Sequence, residues 1–149
     1  MTPYRERLWP AAWLFFATAL VIPASLLVFV PIDLGVGAIV AVVLYAGCVA
    51  ALLFGAPVIE VTEEHFVAGK ARLPIRFVGS AEGFAGEEAT LERGQRLDAR
   101  AWLVLRGWVS SVVRVEVADA EDPTPYWLVS TRHPDRIVKA LAEARALTA

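Results

Sequence analysis

Two long runs of this chain carry no charge on any face. Trp9–Val30 and Leu34–Ile59 are apolar throughout and are separated only by Pro31-Ile32-Asp33. A hydrocarbon core of about 30 Å needs about 20 residues at 1.5 Å rise each, so the pattern predicts transmembrane helices at about 9–30 and 34–57. The connection is so short that the two must be antiparallel neighbours. Trp9 and Trp13 stand at the first entry point, where amphipathic rings favour the headgroup layer, with Arg5 and Arg7 just before them. Pro23 falls mid-span and predicts a kink. Gly37, Ala41, Ala46, Gly47, Ala50, Ala51 and Gly55 form a small-residue stripe that lets helix backbones approach, either within this hairpin or from another copy.

From residue 60 onward the pattern is that of a soluble α+β domain. Val58–Thr62 and Phe66–Gly69 read as strands around a turn at Glu63-Glu64, and Leu73–Val78 as a third that its Pro places at an edge or a start. Glu87–Arg93 closes on Gly94 and reads as a short helix. Ala101–Leu105 and Val112–Val117 are the clearest strands, the second alternating apolar and charged positions. Asp119–Pro125 reads as a turn and Tyr126–Ser130 as the last strand. Pro134 opens an amphipathic helix over 134–147, with Ile137, Val138, Leu141 and Ala144 on one face. Short antiparallel strands followed by one C-terminal helix give the outline of a small pleckstrin-homology-like β-barrel. The domains expected are therefore 1–59, a flank plus the transmembrane hairpin, and 60–149.

Charge sharpens this division. Only Arg5, Glu6, Arg7 and Asp33 precede residue 60, out of 30 acidic and basic residues in 149. The net charge of -2 offers no basic excess for phosphate backbones, so nucleic acid is not an expected partner. The lone Cys48 excludes an internal disulfide and thiolate clusters. No ionisable residue lies within either span, so the usual mark of a transport path is missing. Arg5 and Arg7 before the hairpin, and Lys70, Arg72 and Arg76 after it, predict cytoplasmic N- and C-termini and a multi-pass protein of the plasma membrane. A cleaved signal peptide is a poor match, because the apolar run is too long and a second follows at once.

Three stretches carry a resemblance: Tyr4-Arg5-Glu6-Arg7-Leu8-Trp9-Pro10, Leu97-Asp98-Ala99-Arg100-Ala101, and Asp122-Pro123-Thr124-Pro125-Tyr126-Trp127 with Ser130-Thr131-Arg132. Together they resemble the uncharacterised actinobacterial membrane proteins grouped as domain of unknown function 3093. The resemblance implies two spans in the plasma membrane and no particular activity.

Candidate chemistry is sparse. Glu60, Glu63, Glu64 and His65 lack the His-x-x-x-His spacing of a zinc helix and suit a solvated turn. His133 precedes a helix-opening Pro. Ser110-Ser111 has no nucleophile-elbow frame, and Gly83–Gly86 no following Lys to cradle a phosphate. The Asp122–Trp127 segment has two readings: a rigid turn feeding core aromatics into the last strand, or an exposed interaction surface. The second would comprise Tyr126, Trp127 and Arg132, extended by Arg100, Arg106 and Arg114. The expectation is a non-enzymatic, membrane-anchored interaction module without a cofactor. Its partners would be the lipid bilayer and either a protein or another copy of the chain. Headgroup sensing, or service as an accessory subunit of a membrane enzyme, is the alternative.

Overall fold

The computed structural model describes residues 3–148, which divide into two compact units. Trp9–Ala56 form one; the other combines the N-terminal residues through Leu8 with Pro57 onward.

The helical unit is a hairpin. Its first arm is α1 (Ala12–Thr18) followed by α2 (Val21–Phe29), and its second is α3 (Leu34–Phe54). The break between α1 and α2 is the expected kink, placed one turn before Pro23. A proline ring crowds the carbonyl four residues back, here Ala19, and supplies no N–H to bond it. Leu20 and Ile22 turn instead to the carbonyls of Ala17 and Ala19. Asp33 caps α3, its carboxylate accepting from the N–H groups of Gly35 (2.7 Å) and Val36 (3.1 Å). Gly37 and Ala41 are the buried residues of α3, and a Cβ on Gly37 would lie 2.8 Å from that of Phe29. This part of the small-residue stripe therefore serves packing inside the hairpin. Most remaining side chains find no cover: Leu27 is 73% and Phe54 87% exposed. Both arms are long and apolar enough to cross a membrane.

The β-rich unit begins earlier than expected. Residues 4–7, read as a membrane flank, form strand β1 (Tyr4–Arg7), antiparallel to β2 (Val58–Val61). Tyr4, Glu6 and Leu8 point inward while Arg5 and Arg7 point out, a period of two that the adjoining apolar run obscured. Strands β3 (His65–Ala68) and β4 (Ala71–Pro74) complete a meander ordered β1-β2-β3-β4. The single strand expected over 73–78 is broken: Ile75–Phe77 is a 3₁₀ turn, and the chain resumes as β5 (Val78–Phe84) in a second sheet. Helix α4 (Gly86–Arg93) ends at Gly94 as expected. β6 (Trp102–Val104), β7 (Val112–Val117) and β8 (Tyr126–Ser130) complete the second sheet, ordered β5-β7-β8-β6, and α5 (Pro134–Thr148) closes the chain.

Two expectations need correcting. The strands make two open four-stranded sheets and close no barrel. The β6–β8 pairing is parallel, because the chain returns from β6 through a full β7 before β8. The main core is shared by both sheets and α5, uniting Leu8, Ile59, Phe66, Val115, Trp127, Ile137 and Leu141. A smaller one on the other face of the second sheet joins Tyr126 and Leu128 to Ala89 of α4.

Candidate functional site

The polar groups of the β-rich unit converge where β1 meets the β8–α5 corner. Glu6 points inward from β1, next to Thr131 at the end of β8 and just before the proline that opens α5. Its carboxylate accepts hydrogen bonds from the hydroxyls of Tyr4 (2.8 Å) and Thr131 (2.6 Å) and from the backbone N–H of Arg132 (3.0 Å). The Arg132 guanidinium stands 3.9 Å away. Thr131 is fully buried, and its hydroxyl also accepts from the His133 N–H. A charged acceptor fits a site with this many donors, because hydrogen bonds to a carboxylate are stronger than those to a neutral oxygen.

Beside this cluster lies an open cleft of about 560 Å³, floored by Tyr4 and Glu6 and rimmed by Arg5, His133, Arg136, Lys139 and Glu143. Burial, and then the hydrogen bond to Glu6, push the Tyr4 hydroxyl up to about 12. The Tyr4 hydroxyl is thus protonated at neutral pH and donates to Glu6. Glu6 spends both oxygens on local donors. The floor is therefore built to hold a shape, while the rim sets three cationic side chains against one carboxylate. Such a rim can pair with an acidic group through charge-assisted hydrogen bonds.

The surface expected around Tyr126 and Trp127 is interior. Tyr126 is 7% and Trp127 6% exposed, on opposite faces of β8. The rigid-turn reading of Asp122–Pro125 is the one that fits. Asp122 accepts from the Thr124 N–H (2.8 Å), which lowers its pKa, and the strand then inserts its aromatics into both cores. The Tyr126 hydroxyl accepts from the Asp98 N–H (2.8 Å) and donates to the Arg96 carbonyl (3.4 Å), and Phe66 and Trp102 pack on Trp127.

The arginines do not form one patch. Arg100 pairs with Asp98 at 3.0 Å and holds that carboxyl down at about 2. Arg106 turns its guanidinium back to the Leu105 carbonyl (2.8 Å). Arg114 reaches buried Glu92 (3.3 Å) and lies over the Tyr126 ring, so its place on an alternating strand is more than solvation. Only Arg132, of the expected surface, adjoins the cleft. The cleft itself was missed because its members come from both ends of the sequence; the clue was the alternation of Tyr4-Arg5-Glu6-Arg7-Leu8.

Among the described residues, no group of three or more His, Cys, Asp or Glu side chains converges to hold a metal. Glu63, Glu64 and His65 line a shallow recess with Pro74, Ile75, Arg76 and Thr148.

No curated protein and no solved structure matches the chain. One family model does, over residues 3–141, taking in both the hairpin and the β-rich unit. That match spans all three stretches on which the resemblance rested, and the chain accordingly belongs to the family described as Protein of unknown function (DUF3093).

Proposed function

We propose that this protein is a membrane-anchored, non-enzymatic binding module of an actinobacterial plasma membrane. Its hairpin spans the bilayer, and its β-rich unit engages an acidic segment of a protein partner through the cleft beside Glu6. The observation that carries this reading is the uncovered hairpin: only 6% and 11% of the two apolar windows are buried. A soluble core helix would have its apolar side chains covered, whereas lipid leaves them favourably exposed.

A second observation argues against a cleaved signal sequence. Residues 4–8 precede the first arm and supply β1 and the fully buried Leu8, so cleavage after that arm would remove a strand from the core. The antiparallel β1–β2 pairing also favours an even number of crossings, since it needs both ends of the hairpin on one side of the membrane. With Arg5 and Arg7 before the hairpin, that side is the cytoplasm. The β1–β4 meander, the antiparallel β5-β7-β8 set and the closing α5 support a pleckstrin-homology-like relationship, with β6 as an addition.

The test is capture of a partner from gently solubilised membranes by the full chain and by Arg136→Glu/Lys139→Glu. Loss of an acidic partner on charge reversal supports the reading; equal capture by both proteins overturns it. Extraction of the chain by alkaline carbonate without detergent would overturn the spanning hairpin.

A further inference from the structure

We infer that one pole of the β-rich unit, formed by Trp102, Leu103 and Trp108, is seated in the headgroup layer of the bilayer. This inference rests on the reading of the hairpin as membrane-spanning and extends it to a surface of the soluble part.

The chain leaves the β-rich unit after Leu8 and re-enters it at Pro57. The Leu8 N–H donates to the Pro57 carbonyl at 3.0 Å, so the two crossing points are held together. The Trp108 indole N–H donates to the Leu8 carbonyl at 3.4 Å. That carbonyl is bonded directly to the nitrogen of Trp9, the first residue of the apolar unit. A half-buried indole tied there sits at the depth where the chain passes into the first span. Such a ring, apolar with one N–H, is the side chain that prefers the membrane interface.

β6 ends at the same pole. Gly69, at φ 65° between β3 and β4, bonds the Val58 carbonyl through its N–H (2.9 Å). A Cβ there would stand 3.7 Å from Pro57 and 4.0 Å from Val104, the last residue of β6. Leading up to Val104, Trp102 and Leu103 are 45% and 42% exposed although they alternate along the strand, because β6 is a sheet edge. Water-facing edges are normally guarded by charge, proline or a bulge. This one presents Trp-Leu-Val. The acidic turn with Asp119, Glu121 and Asp122 leaves the other end of the β7–β8 hairpin, about 13 Å along β8 from Val129, the residue level with Val104; Trp102 is level with Trp127, between the two ends. The pole is the Val104 end of β6 together with Trp108, and Leu103 and Trp102 extend from it up the open edge. Lipid headgroups are the occupant that this covalent tether guarantees to be near. With Arg106 turned back on the Leu105 carbonyl, the contact proposed is interfacial burial of the rings.

The experiment places a nitroxide at single cysteines in the full chain with Cys48→Ala, reconstituted in lipid nanodiscs. Trp102→Cys and Leu103→Cys probe the pole, Ile39→Cys the hairpin and Glu121→Cys the distal turn. Accessibility to oxygen, which partitions into lipid, is compared with accessibility to a water-soluble nickel chelate. The expected oxygen-to-nickel ratio is highest at Ile39, several-fold above Glu121 at 102 and 103, and unchanged between zwitterionic and anionic discs. A high ratio at Ile39 with the pole equal to Glu121 overturns the inference and leaves the spanning hairpin standing. A pole shielded from both reagents overturns it in favour of a covering protein, and a pole that responds only to anionic lipid overturns it in favour of charge recognition. A ratio at Ile39 equal to that at Glu121 overturns the spanning reading itself.

Discussion

If residues 4–8 are a core strand and not a membrane flank, replacing Glu6 should be costly where replacing Arg5 is not. In Glu6→Ala the hydroxyls of Tyr4 and Thr131 and the N–H of Arg132 lose their acceptor together. Tyr4 and Arg132 are partly exposed and regain water, so their loss is the net value of a hydrogen bond, about 0.5–1.5 kcal/mol each. Thr131 is fully buried, and its orphaned hydroxyl costs about 1–3 kcal/mol. The partial desolvation cost of Glu6 itself is recovered, which trims the sum from about 2–6 to about 1–4 kcal/mol. In a unit of about 100 residues each kcal/mol moves the midpoint by about 4 °C, so a drop of about 4–16 °C is expected. Arg5→Ala, on the outward face of the same strand, should move it by less than about 2 °C. Thermal unfolding of the full chain in nanodiscs, followed by near-UV circular dichroism, reads both. The double replacement with Thr131→Val should recover about 1–2 kcal/mol of the Glu6→Ala loss, since no hydroxyl is then stranded. Equal, small shifts for Glu6→Ala and Arg5→Ala would refute the strand assignment and with it the cleft.

Three further outcomes follow from the same packing. Joining residue 8 to residue 57 through Asn-Gly should yield a soluble, cooperatively folded β-rich unit, because the Leu8–Pro57 hydrogen bond already brackets a tight turn; a fragment starting at residue 60 should remain soluble only poorly and show no sharp thermal transition. Trp127→Ala should cost about 3–5 kcal/mol and Tyr126→Phe only about 1 kcal/mol, measured by denaturant unfolding; if both are near zero, these residues are surface after all. For Tyr4 the folded pKa is raised from 10.0 to about 12, so its contribution is intact below pH 10 and is lost as pH climbs towards 12. The alkaline limb of a stability–pH curve should therefore flatten in Tyr4→Phe, and an unchanged limb would remove Tyr4 from the account.

The apolar hairpin was legible because uniform hydrophobicity survives without knowledge of neighbours. The turn at Glu63-Glu64, the close of α4 at Gly94 and the opening of α5 at Pro134 were legible for the same reason: each is a local signal. β1 was not, since four residues of alternation beside a long apolar run look like a flank until Val58–Val61 pairs with them. Ile75–Phe77 was read as strand because its apolar–charged alternation fits either backbone, and only the passage from one sheet to the other decides for a turn. Tyr126 and Trp127 could be either core or surface by composition. Their burial depends on cover that comes from both faces at once, from α4 and Leu97 on one side and Phe66 on the other. The cleft combines residues 3–6 with 133–143, and no window of sequence contains both.

The pairing of β1 with β2 also has a consequence for how this protein is made. β1 leaves the ribosome first but has no partner until the whole hairpin and residues 58–61 have followed, seconds later at about 5–20 residues per second. During that interval Leu8 and the inward face of β1 must wait uncovered. If the hairpin spans the bilayer as proposed, failure to complete both crossings would leave the two strands on different sides and start the meander at β2, with Ile59 and Val61 missing their cover and an open edge on display. On the proposed spanning reading, completion of the β-rich unit would report on insertion of the hairpin. A chain with a misplaced helix would carry an unfolded, protease-sensitive β-rich segment as its mark, and correct topology would be checked by folding itself.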